Sequence, residues 1–364
     1  MSFSRLWTIA RLELTQRVRT VSWYLLLGIF ALLLVGVTVL AFLSYGGWGT
    51  AGPGVYSVVV YITLLLVVLV SPTLSGNSIN GDRDAATLAP VQVTLATTGE
   101  ILLGKFVAAW ITGLAFTAVA APFFVIATFA GNVDPIAVIV SLAVLIVETG
   151  VISAIGVGLS GILARPLFSV AATYLVVMAL VAGSAIGFGL IGAAASTEYT
   201  VSYRTAEYDP DTGYPICRDG SETCWDEPEQ MVCGEWQQLT SRTARFDYVW
   251  WMLAANPFVI LADAVPTRYD RAGNPVDIFG WLKYSVRSAQ SPMPTQPGWD
   301  ECNPDYYTSG SYESPDYEGT IANTVPSWFV GLGAQVVLAA GLLWWAWART
   351  RTPARVLPPG TRIA

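Results

Sequence analysis

Between Arg19 and Asp82 the chain carries no charged side chain. Few folds tolerate such a stretch, because a soluble domain needs roughly a quarter of its residues charged to face water. Here only 12% of the 364 residues are charged, 54% are hydrophobic and the mean hydropathy is +0.53. The shortage is local, since long stretches hold no charge while one block is crowded with it. That pattern belongs to a polytopic membrane protein rather than to a soluble fold with a large core. The chain also has no His, which removes His-based acid–base chemistry, His metal sites and Ser-His-Asp triads.

Six spans lie near the ~20 residues that a helix needs to cross a bilayer: 21–43, 55–74, 106–129, 136–163, 167–195 and 328–347. The last closes on Trp344, Trp345 and Trp347 just before Arg349, as an interfacial aromatic belt does. The expected fold is therefore an all-α membrane protein with six transmembrane helices. Arg5, Arg11, Arg17 and Arg19 precede the first span, Arg83 and Lys105 separate the second from the third, and Arg165 separates the fourth from the fifth. Arg349, Arg351, Arg355 and Arg362 follow the last, whereas the short loops 44–54 and 130–135 hold no basic residue. The positive-inside rule then places both termini in the cytoplasm of a cell-membrane protein, with the tail at 349–364. The first apolar run is too long for a cleavable signal and lacks a cleavage pattern, so it reads as a retained helix.

Residues 196–327 differ in kind. They hold 20 of the 26 acidic residues and all four cysteines, Cys217, Cys224, Cys233 and Cys302. The topology puts this block outside the cell, where disulfides persist. Four cysteines allow three pairings, and their spacing does not fit a zinc site. Stretches such as "EYDPDTGYPICRDG" read as irregular and loop-rich, a large disulfide-stapled extracellular insertion between helices five and six. Its acidity suits an exposed, solubilising surface, since no calcium-loop motif is present. Within it, residues 248–266 are apolar, but Asn256-Pro257 interrupts them and leaves too short a run for a seventh crossing. An interfacial or re-entrant segment is expected there.

Residues 99–106, "GEILLGKF", imitate the spacing of a phosphate-binding loop. Such a loop needs small residues to wrap phosphate with backbone N–H groups and a hydroxyl after the Lys. Glu100 would repel phosphate and Phe106 replaces the hydroxyl, so the segment reads instead as the entrance to the third span, with Lys105 snorkelling to the interface. Residues 1–20 plot as a surface helix with Phe3, Leu6, Trp7, Ala10, Leu14 and Val18 on one face.

The order of surface helix, two spans, the cluster Asp82, Arg83, Asp84, then Thr87, Leu88, then Glu100, Ile101, Gly104 and Lys105 resembles the membrane subunits of type-2 ABC transporters. The resemblance implies a permease of an ATP-driven exporter, with residues 1–20 as its connecting helix. It implies a coupling helix near residues 86–98 within the cytoplasmic loop 75–105, and contact with the ATPase through Asp82, Arg83, Asp84, Thr87, Leu88, Glu100 and Lys105. Its partners would be cytoplasmic ATPase subunits that bind ATP and Mg²⁺, a second permease subunit (identical or related) and membrane lipid, with no nucleic acid. The chain itself would hold no cofactor or metal and would not be an enzyme. Segments 21–195 and 328–348 would form the membrane part. Here Ala86 stands where the family often has Gly, and the block 196–327 is longer than usual. A sensory or scaffolding membrane protein, using the outer block to bind an external ligand or protein, is the alternative.

Glu148 is the one ionisable side chain deep within a span. It reads either as a substrate-path or proton-linked carboxylate, or as a protonated acid hydrogen-bonded between helices. The glycines of "GVGLSGIL" and "GSAIGFGLIG" read as sites of close helix approach.

Overall fold

The computed structural model describes residues 2–46, 51–84, 96–221, 224, 228–292, 300–303 and 315–350. Thirteen α-helices and two strands are described: α1 (Phe3–Val18), α2 (Val21–Tyr45), α3 (Gly52–Ser75), α4 (Asn80–Asp84), α5 (Thr98–Phe129), α6 (Pro135–Ile162), α7 (Pro166–Met178), α8 (Ser184–Ala194), β1 (Ser196–Tyr203), β2 (Gln237–Ala244), α9 (Trp251–Ala254), α10 (Pro257–Ala264), α11 (Ile278–Ser288), α12 (Tyr317–Ala322) and α13 (Trp328–Thr350). A π-helical turn, Ala179–Gly183, joins α7 to α8.

Six helical stretches among the described residues are long and apolar enough to cross a membrane: Val21–Tyr45, Gly52–Asp84, Thr98–Phe129, Pro135–Ile162, Pro166–Ala194 and Trp328–Thr350. They coincide with the six expected spans, and the chain is a multi-pass membrane protein. Several begin at local signals. Asp134 caps α6 by accepting the Ile136 N–H at 2.9 Å, with Pro135 at the first helical position. Proline also opens α7 at Pro166. At α5, Thr97 and Glu100 form a reciprocal capping box.

The chain folds as two compact units. One comprises Met1–Ile186, Trp251–Arg287 and Thr324–Ala364; the other comprises Gly187–Trp250 and Ser288–Asn323. In the first unit, α6 is the central helix, packed against α3, α5, α7, α10 and α13. Its glycines allow that crowding. A Cβ on Gly156 would lie 1.9 Å from Ser75 Oγ, and one on Gly158 would lie 2.8 Å from Leu342 Cβ. The second glycine run is mixed: Gly189 faces open space, whereas a Cβ on Gly192 would lie 2.2 Å from Phe246 Cδ1. The core around Leu34, Val59, Leu64, Phe116 and Leu145 draws on α2, α3, α5 and α6. Leu25, Leu32, Leu43, Leu175 and Val337 remain exposed, as expected of side chains that meet lipid.

The segment expected at 248–266 is a helix–break–helix. Asn256 ends α9 and caps α10, accepting the Phe258 N–H at 3.0 Å with Pro257 at the first turn. Neither piece is long enough to span.

In the second unit residues 207–220 are irregular as expected, with turns and isolated bridges, but an unexpected pair of strands flanks them. Strands β1 and β2 pair antiparallel, with Ser196 opposite Ala244 and Tyr203 opposite Gln237. The cause is visible in β1, where Thr197, Tyr199, Val201 and Tyr203 alternate with Glu198, Thr200 and Ser202. Of the three possible pairings the disulfides are Cys217–Cys224 and Cys233–Cys302, and they pack around Ala206 and Met231.

Candidate functional site

Several of the residues singled out at 82–105 converge on α1. Lys105 is buried, not snorkelling as expected, and its Nζ pairs with Glu13 of α1 and with Asp82 at 2.7 Å. The reversal has a simple cause: two carboxylates from two other helices lie within reach, so the ammonium is neutralised in place and need not find water. Ile9 of α1 lies against Gly104, where an added Cβ would come within 2.9 Å of Ile9 Cγ2.

Glu100 faces the same helix one turn earlier. Its Oε2 accepts the Thr97 N–H at 2.8 Å, its Oε1 accepts the Ser2 N–H, and Arg5 stands 3.9 Å away. Glu100 and Lys105 thus bind the two halves of α1 to the start of α5. Residues 99–106 lie within α5, so their backbone N–H groups serve the helix and cannot wrap a phosphate.

Arg83 turns elsewhere. Its guanidinium donates to Asn80 Oδ1 at 3.2 Å and to the carbonyls of Leu163 and Gly161 at 3.3 Å, at the α6–α7 turn. Asn80 Nδ2 donates to Ser169 Oγ at 3.0 Å, and Ser160 Oγ accepts the N–H groups of Ile79 and Asn80. Asp84 is exposed at the end of α4. Thr87 and Leu88, and most of the expected coupling helix near 86–98, lie outside the described residues.

Sequence reading missed Glu13, Ile9, Arg17, Asn80, Ser160 and Ser169. Glu13 had a signal, as the one acidic residue before Asp82 in an arginine-rich stretch. The face of α1 turned to the protein runs through Leu6, Ile9, Ala10, Glu13 and Arg17, while Phe3 and Trp7 of the expected apolar face stay exposed.

A second charged cluster ties α10 and α11 to the start of α13. Asp263 Oδ1 accepts from Arg287 Nε at 2.6 Å. Its Oδ2 accepts the Ser327 N–H at 2.6 Å, the Ser327 hydroxyl at 3.0 Å and the Trp328 N–H at 3.0 Å. A carboxylate at that helix N-terminus also meets the positive end of the dipole. Arg287 Nη1 donates to the Thr324 carbonyl at 2.6 Å. Nearby, Asp277 caps α11 at Gly280 N, and Lys283 Nζ donates to the Val265 carbonyl. Burial pushes Lys283 down to about 8 and holds Asp277 above its ordinary value.

Glu148 sits between these clusters on α6, fully buried, and neither of its oxygens has a hydrogen-bond partner. Gln335 of α13 is the polar side chain that interacts with it. Gln335 Nε2 donates to the Ala255 carbonyl at 2.9 Å, and Asn256 Nδ2 donates to Val181 O at 2.8 Å and Ser184 Oγ at 3.0 Å. The interrupted helix α9–α10 is thus held on one side by α13 and on the other by the π turn. Among the described residues no group of three or more His, Cys, Asp or Glu side chains could hold a metal ion.

No family model matches this chain, and no curated protein matches it.

Proposed function

We propose that this chain is the membrane subunit of an ATP-driven ABC exporter, paired with a second permease subunit and driven by separate cytoplasmic ATPase chains. The observation that carries this reading is the knot of Glu13, Asp82 and Lys105. It fastens α1, α4 and the start of α5 to one another, so a push on the loop 75–105 reaches three elements together. Arg83 extends the same linkage to the α6–α7 turn. A soluble motor needs such a stiff handle, because packed helices respond to displacement as rigid pieces. In this reading the family resemblance at 82–105 marks the handle, both termini lie in the cytoplasm, the ATPase binds ATP and Mg²⁺, and the disulfide-bonded unit faces outward.

The test is isolation of the full-length chain from its native membrane in mild detergent, with identification of whatever co-migrates. A chain carrying nucleotide-binding motifs is expected, and Lys105→Met is expected to lower transport more than ATP hydrolysis. Repeated preparations that yield no nucleotide-binding partner would overturn the proposal.

The sensory or scaffolding reading is favoured by one observation, that the disulfide-bonded residues fold as a compact unit of their own. Excising residues 200–245 together with Cys302→Ser separates the two. An exporter keeps nucleotide-driven turnover, whereas a receptor or scaffold loses its activity.

A further inference from the structure

Glu148 Oε1, Glu148 Oε2 and Gln335 Oε1 are buried without a hydrogen-bond partner, and the Gln335 amide is the side chain that acts on Glu148. Gln335 Nε2 carries two N–H groups, of which one donates to Ala255 O and one is left to act on Glu148. The site is therefore rich in acceptors and short of a donor. An ionised carboxylate without a partner is too costly to keep in such a place, so a positive centre belongs there.

The surroundings do not supply one. Of the helices packed on α6, α3 brings Tyr56, hydrogen-bonded to Ser141, and Tyr61, which donates to Phe258 O. Helix α5 brings Glu100 and Lys105, α7 brings Tyr174, which donates to Leu69 O, α10 brings Asp263, and α13 brings Arg349. Asp82 and Arg83 of α4 are engaged at the end of the unit. None of these acts on Glu148. Hard divalent cations gather about six or more oxygens, and three unpaired ones are too few. A proton asks for only two, one to carry it and one to accept.

We propose that Glu148 is a proton-binding site whose protonated carboxyl donates to Gln335 Oε1 and, through Gln335, latches α6 to the helix break at Ala255. Acid and amide then pair face to face: the O–H donates to Gln335 Oε1, one Nε2 N–H is free for the other carboxyl oxygen, and the second N–H keeps the Ala255 carbonyl. When the proton leaves to water, the O–H bond breaks and the electron pair stays on the carboxylate. The bare carboxylate repels Gln335 Oε1 and attracts both N–H groups of Nε2, and the turn of that amide toward Glu148 releases Ala255 O. Asn256 meanwhile stays fastened to the π turn, so only one side of the break is freed. The latch holds whatever drives the bundle, and its failure would leave the ATPase partnership untouched.

The experiment is infrared difference spectroscopy on the full chain in lipid nanodiscs. At neutral pH the wild type should show the C=O stretch of a protonated carboxylic acid that is lost in Glu148→Gln, a variant of the same shape as the protonated acid. In Gln335→Leu the band should persist and move to higher wavenumber as its acceptor disappears. A wild-type spectrum with only carboxylate at Glu148, or an acid band that emerges only after sodium and potassium are removed, would overturn the proton site. Hydrogen–deuterium exchange across 251–264, corrected for intrinsic rates, should accelerate at alkaline pH in the wild type and not in Glu148→Gln. An equal response in both would overturn the latch, and this arm stands even if Gln335→Leu fails to fold.

Discussion

Asp263 and Glu148 are both fully buried in the helical unit, yet one is saturated and the other is bare. Asp263 receives Arg287, the Ser327 N–H and hydroxyl, and the Trp328 N–H. Neither oxygen of Glu148 has a hydrogen-bond partner, and the Gln335 amide is the one side chain that acts on it. The difference teaches that depth alone does not assign a role to a buried acid. Where donors are built around it, the carboxylate fastens elements; where they are withheld, its protonation state is left free to change.

The contrast is broken most forcefully at Asp263. Asp263→Ala strands Arg287 in the interior and uncaps α13, for a loss of about 3–5 kcal/mol. A sharp fall in the yield of folded protein and in its melting temperature is expected. Pairing Asp263→Leu with Arg287→Met should recover part of it, and equal losses in single and double variants would contradict a paired role.

Lys283 offers a graded comparison beside that cluster. Burial lowers it from 10.5 to about 8, so the folded state disfavours the charged form. The penalty is present in full below pH 8 and fades as pH rises from there toward 10.5. Stability relative to Lys283→Met should therefore climb across that window, by up to about 3 kcal/mol on the linkage relation. Melting curves that run parallel for the two proteins would contradict it.

At Lys105 the effect is smaller, because Glu13 and Asp82 retain partial access to water. Lys105→Met leaves two acids without their shared cation and should cost about 1–2 kcal/mol. It should be read out as faster proteolysis within α1.

Glu148→Gln closes the series at the small end. A neutral amide replaces a neutral acid, so melting at neutral pH should stay within about 0.5 kcal/mol of wild type. A loss as large as that of Asp263→Ala would erase the distinction between the two carboxylates.

Much of the frame was legible because its signals are local. An uncharged run, a capping Asp134 before Pro135 and the Asn256-Pro257 break each fix an element without help from the rest of the chain. The site was legible only in part. Glu148 is conspicuous as a charge in an apolar span, but Gln335 is one neutral residue far along the sequence, and only the packing of α6 on α13 brings them together. Lys105 misled for the same reason, since its partner Glu13 comes from another helix. In β1 the alternation was present but overshadowed by the Pro, Gly and Asp that flank it.

The proposed coupling through Lys105 and the proposed outward placement of the disulfide unit both require an even number of crossings, with the two termini on the inner face. No free cysteine is present among the described residues, so Ser4→Cys, Thr240→Cys and Arg355→Cys each report one position to a membrane-impermeant maleimide on intact cells. Labelling of Thr240→Cys at once, and of Ser4→Cys and Arg355→Cys only after permeabilisation, is the expected result. A tail cysteine labelled on unbroken cells would contradict it.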